Sequence, residues 1–384
     1  MDVLLTDGNE RATLAAARSL IAADWDVGVA AARSRRFSLA GVSRGVRRLP
    51  LRTDPLADPA GYATEIGDLA RQHEVRVVLP ITDASVEAIL RGREHLPPRA
   101  ALPFPDLTTF RAAADKGAIL GSARAAGLAV PDTIVLSDAT VDLPGDEFFP
   151  AVLKPHRSVV GGRHFGVQFV DTRNRCRAAL RAMADAAFPV LLQRRVRGPG
   201  EGLFVLRWKD RIVAEFAHRR LREKPPEGGV SVYRESIALD PELAAAGRRL
   251  LEALDWQGVA MIECKRDEVS GRPVLMEING RLWGSLQLAI DAGVDFPRLL
   301  VACALGRRVP RVKQYRIGVR SRWLWGDIDH LYLQLRNGGG ARGKARALRD
   351  FVRTGFHRTR EEIWRWRDPA PFLLESLQQL GLAR

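Results

Sequence analysis

Cysteine and long apolar runs are scarce in this chain of 384 residues. The three cysteines, Cys176, Cys264 and Cys303, lie far apart and form no CxxC pair, which argues against a disulfide framework or a zinc cluster. No apolar run reaches the roughly 18 residues that a membrane span needs, and the N-terminus lacks the basic start and apolar stretch of a signal peptide. We therefore expect a cytoplasmic protein without a membrane partner.

Lysine is also rare, since it supplies seven of the 60 basic residues and arginine supplies the rest. With 45 acidic residues the formal net charge is +15. Such a surplus is seen in nucleic-acid-binding proteins, and it also arises when the coding sequence favours arginine codons in general. Residues 311–384 hold 16 basic against 7 acidic residues and four of the eight tryptophans, namely Trp323, Trp325, Trp364 and Trp366. This tail either binds nucleic acid or packs amphipathic helices on the body, and we favour packing.

The first hundred residues alternate strand and helix signals. Val3–Thr6 is an apolar run that ends in Asp7-Gly8-Asn9, and Val75–Ile81 is a second run that ends in Thr82-Asp83, which could cap a helix over Ala84–Arg91. This alternation predicts a parallel sheet covered by helices, with ligands beyond the carboxyl ends of its strands. No GxGxxG fingerprint follows the first strand, and neither an HExxH zinc motif nor a GxxxxGK[ST] phosphate loop occurs.

The stretch that is most informative about chemistry is a predicted hairpin. Gly258–Lys265 and Val274–Arg281 are apolar strands joined by a polar turn, and they carry Glu263, Glu277 and Asn279. Period-two alternation places Glu277 and Asn279 on one face. Two carboxylates and an amide oxygen suit Mg²⁺, whereas the alternative is a surface hairpin with solvated glutamates. Both acids lie inside apolar runs, where an unpaired charge is costly, and this favours the metal site.

Five segments, in this order, resemble motifs of the ATP-grasp superfamily, in the branch of the ATP domains of carbamoyl-phosphate synthase and biotin carboxylase. They are Asp115-Lys116, the strand Val152–Pro155, the glycine loop Arg157–Gly162, the hinge Leu191–Glu201 and the hairpin above. The resemblance covers about residues 1–310. It implies an N-terminal parallel-sheet α/β domain (1–107), an α+β ATP-binding unit with a small lobe (108–188) and a large lobe (189–310), and a mainly helical basic tail (311–384).

The resemblance also implies roles for individual residues. Lys116 and Lys154 would neutralise phosphate charge, and Arg220 and Arg281 would contact the transferring phosphate or the acceptor carboxylate. The remaining assignments are a lid loop with Ser158, Gly161 and Gly162, an adenine hinge with Gln193, Arg194 and Val196, a ribose contact by Glu201, and Mg²⁺ ligation by Glu263, Glu277 and Asn279, with Mn²⁺ left open. Arg194 departs from the family pattern, which often has Glu there. His218 and Trp283 are either core residues or part of the acceptor pocket.

The implied activity is a two-step ligation. ATP would phosphorylate a carboxylate, and an amine would attack the acyl-phosphate to give an amide, ADP and phosphate. A phosphotransferase that uses the same site and a nucleic-acid-binding protein that uses the basic tail are the alternatives. We expect small-molecule substrates and no nucleic-acid partner, and we leave a homodimer open.

Overall fold

The computed structural model of this chain describes residues 1–33, 37–157, 159–160, 163–164, 166–337, 340–356 and 359–382. Within these ranges the chain forms a parallel sheet, an antiparallel sheet, a larger mixed sheet and a short two-stranded hairpin. This confirms the predicted α/β class with an α+β unit. In the described part of the chain, no helix is long and apolar enough to cross a membrane.

The N-terminal domain is the predicted parallel sheet, with strand order β3-β2-β1-β4. Its elements are β1 (Val3–Leu5), α1 (Arg11–Ile21), β2 (Val27–Ala32), β3 (Arg47–Leu51), α2 (Pro59–Gln72), β4 (Val77–Leu79) and α3 (Asp83–Arg91). The hydroxyl of Thr82 caps α3 by accepting from the amide of Ser85, as the sequence predicts. Asp7 and Asp83 therefore lie at the carboxyl edge of the sheet.

A break divides the helix that the sequence predicts as continuous over 108–126. The chain forms α4 (Leu107–Ala114) and α5 (Ile119–Ala125) instead. Between them, the Asp115 carboxylate accepts hydrogen bonds from the amides of Gly117 and Ala118, at 2.9 Å each. The amide of Lys116 donates to the carbonyl of His156 at 2.8 Å rather than within a helix. The break turns Lys116 towards the strands that follow.

The small lobe has a sheet of order β5-β10-β6-β9 and its own hydrophobic core around Leu153, Cys176 and Leu192. Its elements are β5 (Thr133–Leu136), β6 (Ala151–Pro155), β7 (Val159–Val160), β8 (Arg163–His164), β9 (Gln168–Val170), α6 (Arg173–Ala182) and β10 (Val190–Arg194). Because β10 pairs with β5 and β6, the boundary between the lobes lies after Arg194 and not at residue 189.

The large lobe is built on a sheet of order β15-β14-β11-β12-β13-β16-β17, whose core is continuous with that of the N-terminal domain. Its elements before the tail are β11 (Gly200–Trp208), β12 (Arg211–Lys224), β13 (Val230–Ser236), α7 (Pro241–Ala253), β14 (Gly258–Arg266), β15 (Pro273–Asn279), α8 (Leu286–Ala292) and α9 (Phe296–Ala304). The predicted basic loop after Ala217 is thus the second half of β12, paired with β13.

The tail is mostly helical, as predicted, and it also extends the main sheet. It comprises β16 (Arg320–Arg322), α10 (Leu324–Asn337), α11 (Gly340–Phe356), β17 (Thr359–Glu361) and α12 (Ala370–Gln379). Three of its four tryptophans contact other residues of the tail. Trp323 donates to Glu375, Trp325 donates to Ser376, and Trp364 packs against Phe372. Only Trp366 of these four is strongly exposed, at 87%. Trp323 also lies under the guanidinium of Arg11 and near the ammonium of Lys224, both in the body, which agrees with the favoured interpretation of packing.

Candidate functional site

A cleft of about 810 Å³ lies between the small lobe and one face of the large sheet. The small lobe contributes Val152, Lys154 and Phe169, and the segment Gln193–Val196 closes one end. The floor is formed by charged residues of β12, β14 and β15 together with Lys116 from the helix break. We refer to it as the central cleft. It brings together most of the site residues predicted from the sequence.

Glu263 and Glu277 are direct partners in the antiparallel register of β14 and β15, so both carboxylates project from the same face. Asn279 follows two residues later on that face, and its amide nitrogen donates to Oε1 of Glu277 at 3.1 Å. Burial raises the pKa of Glu263, as does Glu277 beside it, although Arg220 opposes the shift. Burial would also raise the pKa of Glu277, but Lys116 and Lys154 overcome it and bring this pKa down to about 2.

These three residues fit the requirements of a hard cation. Two carboxylates and one amide oxygen are the ligand types that Mg²⁺ accepts. Among the described residues, no group of three or more His, Cys, Asp and Glu side chains is placed to hold a metal. A cation here would therefore depend on Glu263, Glu277 and Asn279 for its protein ligands, with phosphate and water oxygens completing the shell. That arrangement is typical of Mg²⁺ bound together with a nucleotide.

Two lysines face this carboxylate pair. The ammonium of Lys116 lies 3.2 Å from Oε2 of Glu277. Lys154, on β6, is buried and donates to the carbonyl oxygen of Met276 at 3.2 Å. Burial lowers the pKa of Lys154 to about 8, against the attraction of Glu277. Of the seven lysines in the chain, these two thus converge on the predicted metal hairpin from separate elements.

Arg220 lies in the strand β12 and crosses the floor of the central cleft. Its guanidinium is 2.5 Å from Oε2 of Glu263 and donates to Glu223 at 2.9 Å. Burial opposes its charge, but Glu263 and Glu223 raise the pKa of Arg220 further above its usual range. Its Nε atom is buried and has no hydrogen-bond partner among the described residues. Gly200 on the adjacent strand leaves room for the side chain, since a Cβ there would stand 2.7 Å from Cδ of Arg220.

Arg281 follows β15 and links the central cleft to the N-terminal domain. Its Nε donates to Oδ2 of Asp83 at 3.0 Å, and one terminal nitrogen lies 3.4 Å from the amide oxygen of Asn279. Burial opposes its charge, but Asp83 raises the pKa of Arg281. The predicted carboxyl edge of the parallel sheet therefore contacts the predicted metal hairpin through a single guanidinium. Asp83 was not predicted as part of the site.

His218 and Trp283 prove to be mainly core residues. The His218 ring is fully buried, stacks on Phe204 at 4.7 Å and shares a 3.0 Å hydrogen bond with the hydroxyl of Ser285. Burial and nearby arginines lower the pKa of His218 well below its usual value, so the ring is neutral. Trp283 packs against Phe204 at 4.4 Å and reaches the central cleft at one edge.

The hinge residues Gln193, Arg194 and Val196 all line the central cleft. The side chain of Gln193 donates to Thr133, whereas the exposed Arg194 guanidinium reaches the carbonyl of Glu147, at 3.2 Å. The amides of Arg194 and Arg195 donate to the carbonyls of Asp132 and Pro150. Among the described residues, the amide of Val196 donates to no backbone carbonyl.

Glu201 does not lie where its predicted ribose contact requires. It is buried and accepts from Arg266 at 2.7 to 2.9 Å, and Arg266 also binds Asp240. In the register of β11 and β14, Gly202 opposes Glu263 while Glu201 opposes Cys264, so Glu201 points to the other face of the sheet. This placement corrects the prediction: Glu201 stabilises the sheet from behind. Ser158, Gly161 and Gly162 of the predicted lid lie outside the described residues.

Several residues of the central cleft were missed by sequence reasoning. Glu223 supplies a carboxylate next to Arg220, Glu227 adds a second carboxylate to the lining, and Phe169, Met261 and Met276 supply apolar surface. Glu223 lies in a basic segment that was predicted to be a loop, because the strand β13 that pairs with it was not predicted.

One further sequence pattern lies outside the cleft. The segment Gly41–Gly45 fits a GxSxG pattern, but its buried Ser43 donates a hydrogen bond to Asp368 of the tail at 2.6 Å.

Comparison with known proteins supports the family resemblance. Residues 189–326 match the family described as "ATP-grasp in the biosynthetic pathway with Ter operon". No curated protein matches the chain significantly in sequence.

Solved structures give extensive matches. An L-amino acid ligase from Bacillus licheniformis matches with a TM-score of 0.61 at 18% identity, over 79% of this chain and 74% of that one. The biotin carboxylase–β,γ-ATP complex from Campylobacter jejuni matches with a TM-score of 0.64 at 15% identity, over 83% and 74%. N5-carboxyaminoimidazole synthetase from Staphylococcus aureus matches with 0.61 at 13%, over 83% and 80%. At these identities the likeness establishes the fold.

Proposed function

Since the chain has the ATP-grasp fold, we propose that it is an ATP-dependent ligase that joins a carboxylate substrate to an amine and releases ADP and phosphate. The observation that carries the proposal is the convergence in the central cleft of Lys116, Lys154 and Arg220 on the carboxylates of Glu263 and Glu277. Such a cluster is costly to bury unless it serves a charged ligand or pairs internally. ATP with a divalent cation is a ligand that matches both signs of charge.

The nucleotide would lie along the central cleft, with its base at the hinge. The amide of Val196 would donate to the base edge, and Phe169 and Met276 would cover its faces. The triphosphate would then extend towards Lys154 and Lys116, whose ammonium groups neutralise its charge. Lys116 pairs with Glu277, so nucleotide binding would exchange one ion pair for another rather than expose a bare charge.

Glu263, Glu277 and Asn279 would hold Mg²⁺. Held there, the ion would neutralise phosphate charge and so lower the barrier to phosphoryl transfer. Arg220, whose guanidinium lies in the cleft beside Glu263 and Glu223, would hold the acceptor carboxylate or the transferring phosphate. Arg281 is a permanently charged fork at the border of the N-terminal domain, where it would stabilise charge on the acyl-phosphate.

The test is an ADP-release screen over pooled carboxylates and amines, with the product identified by mass spectrometry. Ligation predicts that inorganic phosphate appears in step with ADP and that the product mass equals acid plus amine minus water. ADP without free phosphate would instead identify a phosphotransferase. Absence of ADP with every pool would contradict the proposed activity.

We predict that Glu277→Gln reduces ADP formation by about a thousandfold or more, because the variant loses a metal ligand and the partner of Lys116. The matched control is Glu268→Gln, which removes an exposed carboxylate from the turn of the same hairpin and should leave the rate unchanged. Circular dichroism establishes that both variants are folded. Normal ADP release from Glu277→Gln would refute the metal assignment.

A further inference from the structure

A cavity of about 430 Å³ lies between the strand β12 and the helices α10 and α11 of the tail. We call it the tail pocket, and its volume is in the range of binding sites for small molecules. Arg220 and Glu223 of β12 form one side, and His330 and Gln334 of α10 form another. Because Arg220 and Glu223 also line the central cleft, they form a wall that the two cavities have in common.

A buried group of charges holds the walls of the tail pocket together. Asp327 of α10 is 0% exposed and accepts hydrogen bonds from Arg222 of β12 and Arg322 of β16. Arg222 also donates to the carbonyl oxygen of Asp350 at 2.8 Å and to the hydroxyl of Thr354, both in α11. A buried pair of this kind is costly to break. The strand and the two helices are therefore fixed relative to one another, and the pocket between them is preformed.

His330 gives the most direct indication of a ligand. Its side chain is 7% exposed and lines the tail pocket. Its Nδ1 atom lies 2.5 Å from the carbonyl oxygen of Glu223, and since a carbonyl oxygen can only accept, Nδ1 carries the hydrogen. In the neutral ring, Nε2 then holds a lone pair. Within the described part of the chain Nε2 has no hydrogen-bond partner, yet it is not sealed off from solvent.

The arginine donors of the wall are largely engaged. The two terminal nitrogens of Arg220 contact the carboxylates of Glu223 and Glu263. Those of Arg222 donate to Asp327 and to the backbone of α11, as described above. An anionic ligand would have to displace these internal partners, which carry the same sign of charge as the ligand. The arginines therefore do not make the tail pocket an anion site.

The open polar atoms of the wall are mainly acceptors. Gln334 lies one turn after His330 on the same face of α10, and its amide forms no hydrogen bond with any described residue. The carboxylate of Asp350 is half-exposed at the border of the pocket. Arg346 and Arg349 approach it to 3.7 and 3.9 Å without a hydrogen bond. A lone pair, an amide oxygen and a carboxylate thus remain available to a ligand that donates.

We propose that the tail pocket binds a small molecule that carries an ammonium group on a short hydrocarbon chain. The ammonium group donates to Nε2 of His330 and to the carboxylate of Asp350, and such charge-assisted bonds are the stronger kind. The hydrocarbon chain lies against Leu331 and Phe351, which also line the pocket. One face of Phe351 is already covered by the guanidinium of Arg322 at 4.2 Å, so the ligand meets the rest of the ring.

The tail pocket is a second site, distinct from the central cleft. Its ligand lies beside Arg220, the guanidinium that holds the acceptor in the proposed function. An influence of the ligand on turnover therefore rests on that function, whereas binding itself requires neither ATP nor a carboxylate substrate.

The experiment is an NMR titration of the full chain labelled with ¹⁵N-histidine, without nucleotide, at constant pH and ionic strength. The probes are n-butylammonium chloride and its neutral counterpart 1-butanol. The chain has seven histidines, and the variant His330→Asn identifies the His330 signals by their loss. We expect a saturable shift of the Nε2 signal of His330 with butylammonium and none of comparable size with butanol.

Variants then test the two acceptors, with the Kd taken from the signals of the probe. His330→Asn keeps an amide donor near the carbonyl of Glu223 and loses only the Nε2 acceptor, so the Kd should rise about tenfold or more. Asp350→Asn should raise it about two- to fivefold, since this carboxylate is half-exposed. The control is Glu252→Gln, an exposed acid of α7 outside the pocket, which should leave the Kd unchanged.

Three results would overturn the proposal: no shift of the His330 Nε2 signal, equal shifts with butanol and butylammonium, or an unchanged Kd in His330→Asn that circular dichroism shows to be folded. Any of them leaves the proposed ligation standing, because the titration contains no ATP. Conversely, butylammonium that binds at His330 in a protein that releases no ADP with any pool would support the tail pocket and contradict the ligase activity.

Discussion

Three cations of the central cleft are paired with carboxylates. Lys116 pairs with Glu277, Arg220 with Glu263 and Arg281 with Asp83. Buried charges are tolerated when they are paired in this way, and a change that removes one partner is strongly destabilising. The pairs therefore stabilise these buried charges within the fold and hold each of them at a fixed position in the cleft.

Gly200 tests whether the position of Arg220 matters. We predict that Gly200→Ala lowers kcat/KM of the ligase reaction by about ten- to a hundredfold, because the added Cβ forces Arg220 away from Glu263. The control is Gly121→Ala in α5, where a Cβ meets no atom within 4 Å, so activity should be unchanged. The readout is the steady-state rate with the substrates found in the screen. Unchanged kinetics in Gly200→Ala would show that Arg220 does not take part.

At the scale of elements, sequence patterns predicted the hairpin well because its chemistry is local. Alternation within β15 fixes Glu277 and Asn279 on one face whatever the neighbouring strand does. Glu201 could not be placed in this way, since its face depends on the register between β11 and β14, which pairs it with Cys264, 63 positions later in the sequence. The break in the helix at Lys116 was missed for a related reason. The residues around Lys116 favour a helix, and the hydrogen bond from the Lys116 amide to the carbonyl of His156 is a tertiary contact that local propensity does not reveal.

The helix α12 is bound to the rest of the tail partly through a buried acid. Glu375 accepts from the indole of Trp323 at 2.8 Å, while its second oxygen is buried without a partner among the described residues. Burial raises the pKa of Glu375 to about 7. The folded protein therefore binds this proton more tightly than the unfolded chain does. Its contribution to stability is fully present below the unfolded pKa and is lost as the pH rises towards 7.

We predict that Glu375→Gln stabilises the protein at pH 8 by about 1–3 kcal/mol and has little effect at pH 5, because the amide keeps its acceptor and carries no charge. The measurement is the free energy of unfolding by urea at both pH values. Glu242→Gln, on the exposed start of α7, serves as the control and should show no comparable gain at pH 8. A gain of equal size at pH 5 and pH 8 would contradict the assignment to this carboxyl.

For the molecule as a whole, ion pairs attach part of the basic tail to the body. Arg320 pairs with Glu235 and Arg365 with Asp291, whereas Arg322 pairs with Asp327 inside the tail. These contacts fit packing of the tail better than a free nucleic-acid surface. The small lobe, by contrast, keeps a separate hydrophobic core from the one shared by the N-terminal domain and the large lobe.

Glu362 connects the tail to two parts of the body. Its carboxylate is 2% exposed and accepts from Arg11 of the N-terminal domain at 2.6 Å and from the fully buried Arg234 of the large lobe. We predict that Glu362→Ala lowers the free energy of unfolding by about 3–5 kcal/mol, because it leaves two guanidinium groups without their partner. Chemical unfolding followed by tryptophan fluorescence measures the change.

Asp68→Ala supplies the comparison, because it removes an exposed ion pair with Arg71 on the surface of α2 and should cost less than about 1 kcal/mol. Glu362 lies outside the lining of the central cleft, so ADP formation by the folded fraction of Glu362→Ala should persist. A loss of stability no larger than that of Asp68→Ala would show that Glu362 does not clamp the tail. Complete loss of activity in folded protein would instead mean that Glu362 acts on the central cleft through Arg11, because Arg11 contacts Glu362 and also lines the cleft.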